Sequence, residues 1–404
     1  MDQKAEPVAD RNRLRAGRYV RQPTGYQAFI PESLPPIPAI ELSPALQSAL
    51  SSADRWLGRL DGSIQTLPNP DLFVFMYVRK EAVLSSQIEG TQSSLQDVLA
   101  AEAQVFSPDQ PRDVDEVVNY VQAMNYGLGR LPILPISIRL IREIHARLLK
   151  DVRGSQLTPG ELRRSQNWIG AGGCTLSEAT FVPPPPHEVP VALSALEKFL
   201  HTSSDLPELI QIGLAHAQFE TIHPFLDGNG RIGRLLITLL LCQREILLKP
   251  VLYLSHYFKQ HRSTYYDRLQ AIRDAGDWEG WLIFFLQGVT VVSREATDMA
   301  RRINTLREAH RAQITSLLGR SSGGALRVLE HLFQHPILSV GEIREITGTS
   351  YTAANTLVSR LSELEIIFEI TGNRRNRMFQ YESYIRLFRE PGDAAPNYFL
   401  RPGS

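Results

Sequence analysis

From about Ala45 onward, apolar residues recur every three or four positions, the spacing that puts them on one face of a helix. In MYVRKEAVLSSQIEGTQ, Val78, Ala82, Val83 and Leu84 follow this spacing, and Gly90 suits a C-terminal cap. The texture changes between residues 160 and 190. There, RRSQNWIGAGGCTLSEATFVPPPPHEVP offers two short strands around a glycine-rich turn and then a run of prolines, which predicts a β-hairpin flap. Helical spacing resumes from 191 to about 290, with the segment Phe219 to Pro224 ending one helix and Arg231 opening the next. Pro224 and the Gly228-Asn229-Gly230 triplet both resist helix continuation, so the residues between these helices form a loop. The apolar run LLITLLLC (235–242) is too short to span a bilayer and reads as a buried helix.

The ends of the chain read differently. Residues 1–40, with PESLPPIP, predict an extended lead-in that wraps the body. A bridging helix over 291–319 leads to the flexible-looking GRSSGG, and three helix patterns followed by strand, basic turn and strand (FEITGNRRNRMFQYE) have the order of a winged helix-turn-helix over 320–390. The division is therefore 1–40 lead-in, 41–115 N-terminal helical region, 116–290 core, 291–319 bridge, 320–390 winged helix and 391–404 tail. The fold class is mainly α, a helical bundle with a β-hairpin flap plus the winged-helix domain.

Composition narrows the function little. Lys+Arg and Asp+Glu are 43 each, so no global charge favours nucleic acid or membrane. Cys174 and Cys242 stand far apart without metal-ligand spacing, which excludes a disulfide framework and fits a cytoplasmic setting. The start of the chain lacks an apolar signal core, and no membrane association is expected.

The chemistry concentrates in HPFLDGNGRIGR (223–234). Gly228, Asn229 and Gly230 precede a helix start, where backbone N–H groups and the helix dipole favour an anion such as phosphate. Arg231 and Arg234 are three apart, on one face, and their guanidinium forks can clamp further phosphate oxygens. Asp227, beside an anion site, makes sense as a Mg²⁺ ligand bridging phosphates. His223, at the end of the preceding helix, can accept a proton from an attacking hydroxyl. Together these parts describe transfer of a phosphorus-containing group to a hydroxyl.

The segment resembles the HPFx(D/E)GNGRxxR motif of Fic-domain proteins at every specified position. The resemblance implies an adenylyltransferase moving AMP from ATP to a Ser, Thr or Tyr hydroxyl of a target protein or of the chain itself. His223 would be the general base, Asp227 the Mg²⁺ ligand, and Phe225 a core anchor. Gly228, Asn229, Gly230, Arg231, Ile232, Gly233 and Arg234 would hold the nucleotide. Asn167, Trp168, Ile169 and Gly170 on the flap would border it, and Tyr266 would contact its base or ribose. Arg273 stands where some relatives carry Asn. Upstream, SSQIEGT resembles the family's inhibitory helix (S/T)xxxE(G/N), matched by Ser85, Glu89 and Gly90. Glu89 would then pair with Arg234 and take the guanidinium meant for the γ-phosphate, or align a water for removing AMP.

The C-terminal module gives a different function class. Tyr351, Thr352, Asn355, Thr356, Ser359 and Arg360 make a polar helix face, and Arg374, Arg375 and Arg377 a basic wing. With nine Arg against eight Glu between Arg320 and Glu390, contact with protein or a homodimer partner is favoured over DNA. A DNA-binding regulator whose Fic fold senses nucleotide is the alternative to the enzyme. Transfer of another phosphoryl group is a third reading.

Overall fold

The computed structural model describes residues 14–65, 70–105 and 111–389; the first thirteen residues of the lead-in and the 391–404 tail lie outside the described residues. The rest of the lead-in wraps the body, but as an antiparallel hairpin of β1 (Gly17–Arg21) and β2 (Gln27–Pro31), with Tyr19 opposite Phe29. Phe29 is fully buried, and its N–H reaches the Val182 carbonyl at 2.9 Å, so the hairpin is pinned to the flap.

Helices follow in the order α1 (Pro44–Gln65), α2 (Asp71–Ile88), α3 (Leu95–Glu102), α4 (Val114–Arg130), α5 (Ile138–Leu148), α6 (Val189–His201), α7 (Glu208–Ile222), α8 (Asn229–Gln243), α9 (Ser255–Gln260), α10 (Arg262–Ala275) and α11 (Trp278–Leu317). In α1 the buried positions Leu46, Ala53, Leu57, Leu60 and Ile64 keep to one stripe, which lies along α11. In α7 every residue from Leu209 to Ile222 is buried, and α8 is nearly as enclosed. A helix covered all round must sit at the centre. The α7–α8 pair is that centre, and the loop joining them is residues 223–228.

Two features of the C-terminal half depart from the sequence expectation. The bridge is no separate helix over 291–319: α11 runs unbroken for 40 residues from Trp278. Gly288 does not break it, because Tyr257 packs against the helix there, where a Cβ would come within 2.6 Å of its ring. GRSSGG is ordered too, as a 3-10 turn (Gly319–Ser321) running into α12 (Ser322–Leu332). Then come β3 (Ile337–Ser339), α13 (Val340–Thr347), α14 (Tyr351–Glu363), β4 (Phe368–Glu369), β5 (Met378–Gln380) and α15 (Glu382–Ile385), with antiparallel sheet order β3-β5-β4. This module rests on α2: Lys80 donates to the Phe388 carbonyl at 2.9 Å, and the Tyr77 ring meets the Phe388 ring edge-on.

The flap is a loop held by a single antiparallel bridge, Ile169 to Phe181, with a 3-10 turn at Leu176–Glu178 between them. The prolines at 183–186 lack the N–H donors a longer ladder would need. Among the described residues, no helix is long and apolar enough to cross a membrane.

Trp281 ties α11 to α7 by donating its indole N–H to the Gly213 carbonyl at 2.9 Å from a fully buried site. Trp281→Phe removes that bond and leaves part of the ring volume empty. It should cost about 2–4 kcal/mol, read as a drop of several degrees in the thermal unfolding midpoint.

Candidate active site

α7 stops at Ile222 because His223 takes a left-handed backbone conformation, φ 49° and ψ 61°. Such a conformation costs a non-glycine residue about 1 kcal/mol, so the surroundings must hold it. They do so through main-chain carbonyls. Arg163 Nε donates to the His223 carbonyl at 2.9 Å, Asn167 Nδ2 donates to the Phe225 carbonyl at 2.8 Å, and the Arg163 N–H donates to the Pro224 carbonyl at 2.9 Å. Asn229 closes the loop from the far side, its amide accepting from the Phe225 N–H and donating to the Phe225 carbonyl, both at 2.8 Å. Phe225 is fully buried, with its ring stacked on His145 at 3.7 Å and an interplanar angle of 6°. His145 Nδ1 accepts from the Gly160 N–H, which leaves Nε2–H to donate to the Asp227 carbonyl. Burial pushes this imidazole down to about 4, so it stays neutral in that tautomer.

The loop delivers α8 with Gly228 at φ 76°, and the first intrahelical bond runs from Ile232 N–H to the Gly228 carbonyl. The helix thus opens at Asn229, two residues before the predicted start. The Gly228 N–H is taken by the Asp227 carboxylate at 2.6 Å, which leaves the amides of the first turn as the anion-facing donors. Gly230 faces Glu89: a Cβ there would lie 2.3 Å from Oε1. Gly233 faces Glu220 in the same way, and Ile232 is buried in the core.

The two arginines, three apart on α8, turn to different partners. Arg231 is buried and turned to Glu116 on α4, Nη1 to Oε2 at 3.0 Å, with Asp227 at 3.8 Å. Arg234, equally buried, points to α2: Nε donates to Ser85 Oγ at 2.9 Å, and Nη2 to the Ser85 carbonyl at 3.0 Å and to Glu89 Oε1 at 2.6 Å. Each guanidinium finds a different carboxylate across the bundle, the buried Glu116 or the part-exposed Glu89. Burial raises the Glu89 carboxyl, but Arg234, Arg231 and His223 outweigh it and hold it below the ordinary carboxylate range. Gly90, at φ 98°, ends the helix just past this contact.

The His223 ring lies close to these groups. Its Nδ1 is buried without a hydrogen-bond partner, although the residue as a whole is half-buried. Burial, then the cations Arg273 and Arg163, push the imidazole down to about 4 against the pull of Glu89. Tyr266 stays partly exposed beside Tyr265, with the Arg262 guanidinium 5.8 Å from its ring. Arg273 is buried and lies over the Phe181 ring at 3.7 Å, tying the flap to the end of α7. Of the flap residues, Asn167 spends its amide on the loop, Trp168 is exposed and donates to the Cys174 carbonyl, Ile169 makes the bridge to Phe181, and Gly170 is exposed.

Sequence reasoning missed four residues. Arg163 and Glu116 carry no local signal. His145 sits at a core position of the apolar stripe Leu140, Ile141, Ile144, Leu148, a placement that marks a satisfied buried group. Glu220 is a carboxylate inside an apolar helix; burial, opposed by Arg234, pushes it up to about 7, and its Oε1 has no partner among the described residues.

As a whole the site presents a buried imidazole, a helix N-terminus with open amides, a half-exposed carboxylate at Asp227, and a guanidinium already occupied by a carboxylate. Residues 47–129 match the Fic/DOC family N-terminal model, and residues 135–241 match the Fic/DOC family model. The protein adenylyltransferase Fic of Drosophila willistoni is 29% identical over 233 residues, covering 52% of this chain and 43% of that protein. That of Drosophila virilis is 33% identical over 166 residues, covering 40% and 30%. The matches thus span less than half the length of these curated relatives. A crystal structure of a Fic family protein from Desulfovibrio desulfuricans shares the fold with a TM-score of 0.57 at 19% identity, over 85% of this chain and 97% of that one. Residues 47–241 thus carry two consecutive Fic/DOC family segments, and the fold is shared with that Fic family protein.

Proposed function

We propose that the protein transfers AMP from ATP to a Ser, Thr or Tyr hydroxyl of a protein, and that Glu89 holds the site in a resting state. The observation that carries this reading is the reversal at 223–228, which sets the His223 imidazole and the amides of the α8 N-terminus at the two ends of one short loop. The adenylyltransferase activity for which the curated relatives are named supports the adenylyl group as cargo. The hydroxyl oxygen bonds to the α-phosphorus, the bond to the β-phosphate bridge breaks, pyrophosphate leaves, and the hydroxyl proton passes to His223. The α8 amides would receive polyphosphate charge. Arg231, fixed by Glu116, would add its field, and Arg234 would take the terminal phosphate once Glu89 has left.

The donor set fits a magnesium ion. Asp227 keeps a side chain 34% exposed, and one carboxylate plus phosphate oxygens suits that ion. Asp227 would hold the ion, which when bound would supply positive charge against the phosphates. With Glu89 on Arg234, ATP would lack a terminal anchor and lie out of line for attack.

Removal of AMP is a second reading for the same site. Glu89 uses Oε1 for Arg234, which leaves Oε2 to orient a water. For the C-terminal module, the order helix, strand, two helices and two strands supports a winged helix. Tyr351, Thr352, Thr356, Ser359 and Arg360 are exposed on α14, and Arg374 and Arg375 at the turn, where duplex DNA would meet them; a gel shift tests it.

Glu89→Gly should raise incorporation of labelled AMP into the protein or a partner by about 10-fold or more, and His223→Ala in that background should abolish it. No gain on removing Glu89 would remove the brake; transfer without His223 would remove the base. The pH profile supplies a separate check. Protonation removes the base, and His223 titrates near 4, so the rate should not fall through pH 6.5 as an ordinary histidine would impose. The loss attributable to His223 should come only near pH 4 to 5.

A further inference from the structure

Arg163 stands at the root of the flap with 2% of its surface exposed. Among the described residues, all its hydrogen bonds go to main-chain carbonyls. Nε donates to His223 at 2.9 Å, Nη2 to Ile222 at 3.4 Å and to Pro184, and Nη1 to Ser165 at 3.4 Å. Ile222 and His223 are the last carbonyls of α7, which have no N–H partner within the helix and favour a cation. One fork therefore caps the helix, grips the carbonyl of the residue in the left-handed conformation, and ties both to the flap at Pro184. A buried cation without a carboxylate partner is expensive. Burial lowers Arg163 only to about 10, so it stays charged at neutral pH.

We infer that Arg163 is a positioning residue for His223: it locks the backbone kink that aims the imidazole and sets a fixed positive charge near the ring. The inference rests on the reading of His223 as general base. Besides its own burial, the ring feels Arg273 from α10, Arg163 from the flap root, Glu89 from α2 and the Glu220 carbonyl from α7. The cations favour the neutral ring and Glu89 opposes them. Lysine keeps the charge but has a single nitrogen, which cannot span the carbonyls of Ile222, His223 and Pro184 as a planar fork does. Charge and shape are thus separable by substitution.

The test uses the full chain carrying Glu89→Gly, alone and with Arg163→Lys or Arg163→Met. AMP-transfer kinetics, ATP affinity by calorimetry and the His223 midpoint by NMR of labelled histidine are measured on each. Arg163→Met should lower kcat about 100-fold with the KM for ATP within about 3-fold, and should move the His223 midpoint up by about one pH unit. Arg163→Lys should leave the midpoint in place while kcat falls about 10-fold. An unmoved midpoint in the Met form, an unchanged kcat in either, or a kcat loss matched by equal loss of ATP affinity overturns the inference. Should Arg163→Met fail to fold, Arg163→Gln takes its place with the same expected shift. If Glu89→Gly alone transfers no AMP, the adenylyltransferase reading fails, and the NMR midpoints still decide whether Arg163 sets the charge of His223.

Discussion

Everything at the site follows from one backbone reversal that a chain of L-residues resists. His223 in the left-handed region turns the polypeptide out of α7, and Gly228, also at positive φ, turns it into α8. The strain at His223 is offset by a ring of main-chain hydrogen bonds from Arg163, Asn167 and Asn229 and by the stacked pair Phe225–His145. These contacts come from the flap root, from α5 and from α8, so three parts of the chain converge on six residues. Strain of this kind persists only where the surroundings over-determine it.

Around this loop the charges are paired across helices, Arg231 with the buried Glu116 and Arg234 with the part-exposed Glu89. Buried pairs contribute little net stability, because desolvation cancels most of the attraction. They define instead which carboxylate each guanidinium faces. Glu220 completes the picture as a third carboxyl near Arg234 that finds no partner for its Oε1. Arg234 is thus claimed by one acid and approached by a second.

Much of this was legible in the sequence where the signal is local. The stop at Pro224, the glycines of 228–230 and the apolar run 235–242 foretold the helix–loop–helix, and the three C-terminal helix patterns coincide with α12, α13 and α14. Gly90 likewise marked the end of α2. What could not be read is set by long-range geometry. The resemblance of residues 85–90 implied the Arg234–Glu89 pair, but Glu116, the partner of Arg231 and 115 residues upstream of it, carries no local signal. Asn167 and Arg163 look like flap residues, and their partners lie some 60 positions downstream. The flap strands shrank to a bridge because prolines cannot donate, and a bridging helix merged into α11 because nothing at 288 breaks it once Tyr257 covers the glycine.

The seat of the C-terminal module has a mechanical consequence. Tyr77 and Lys80 fasten the middle of α2 to Phe388, while Glu89 lies just beyond the last turn of the same helix and Gly90 begins the exit. With its midpoint anchored, α2 cannot slide as a rod without tearing that seam. Any movement of the Glu89 carboxylate away from Arg234 would then be confined to the end of α2, next to Gly90, where the chain has no side chain to obstruct it.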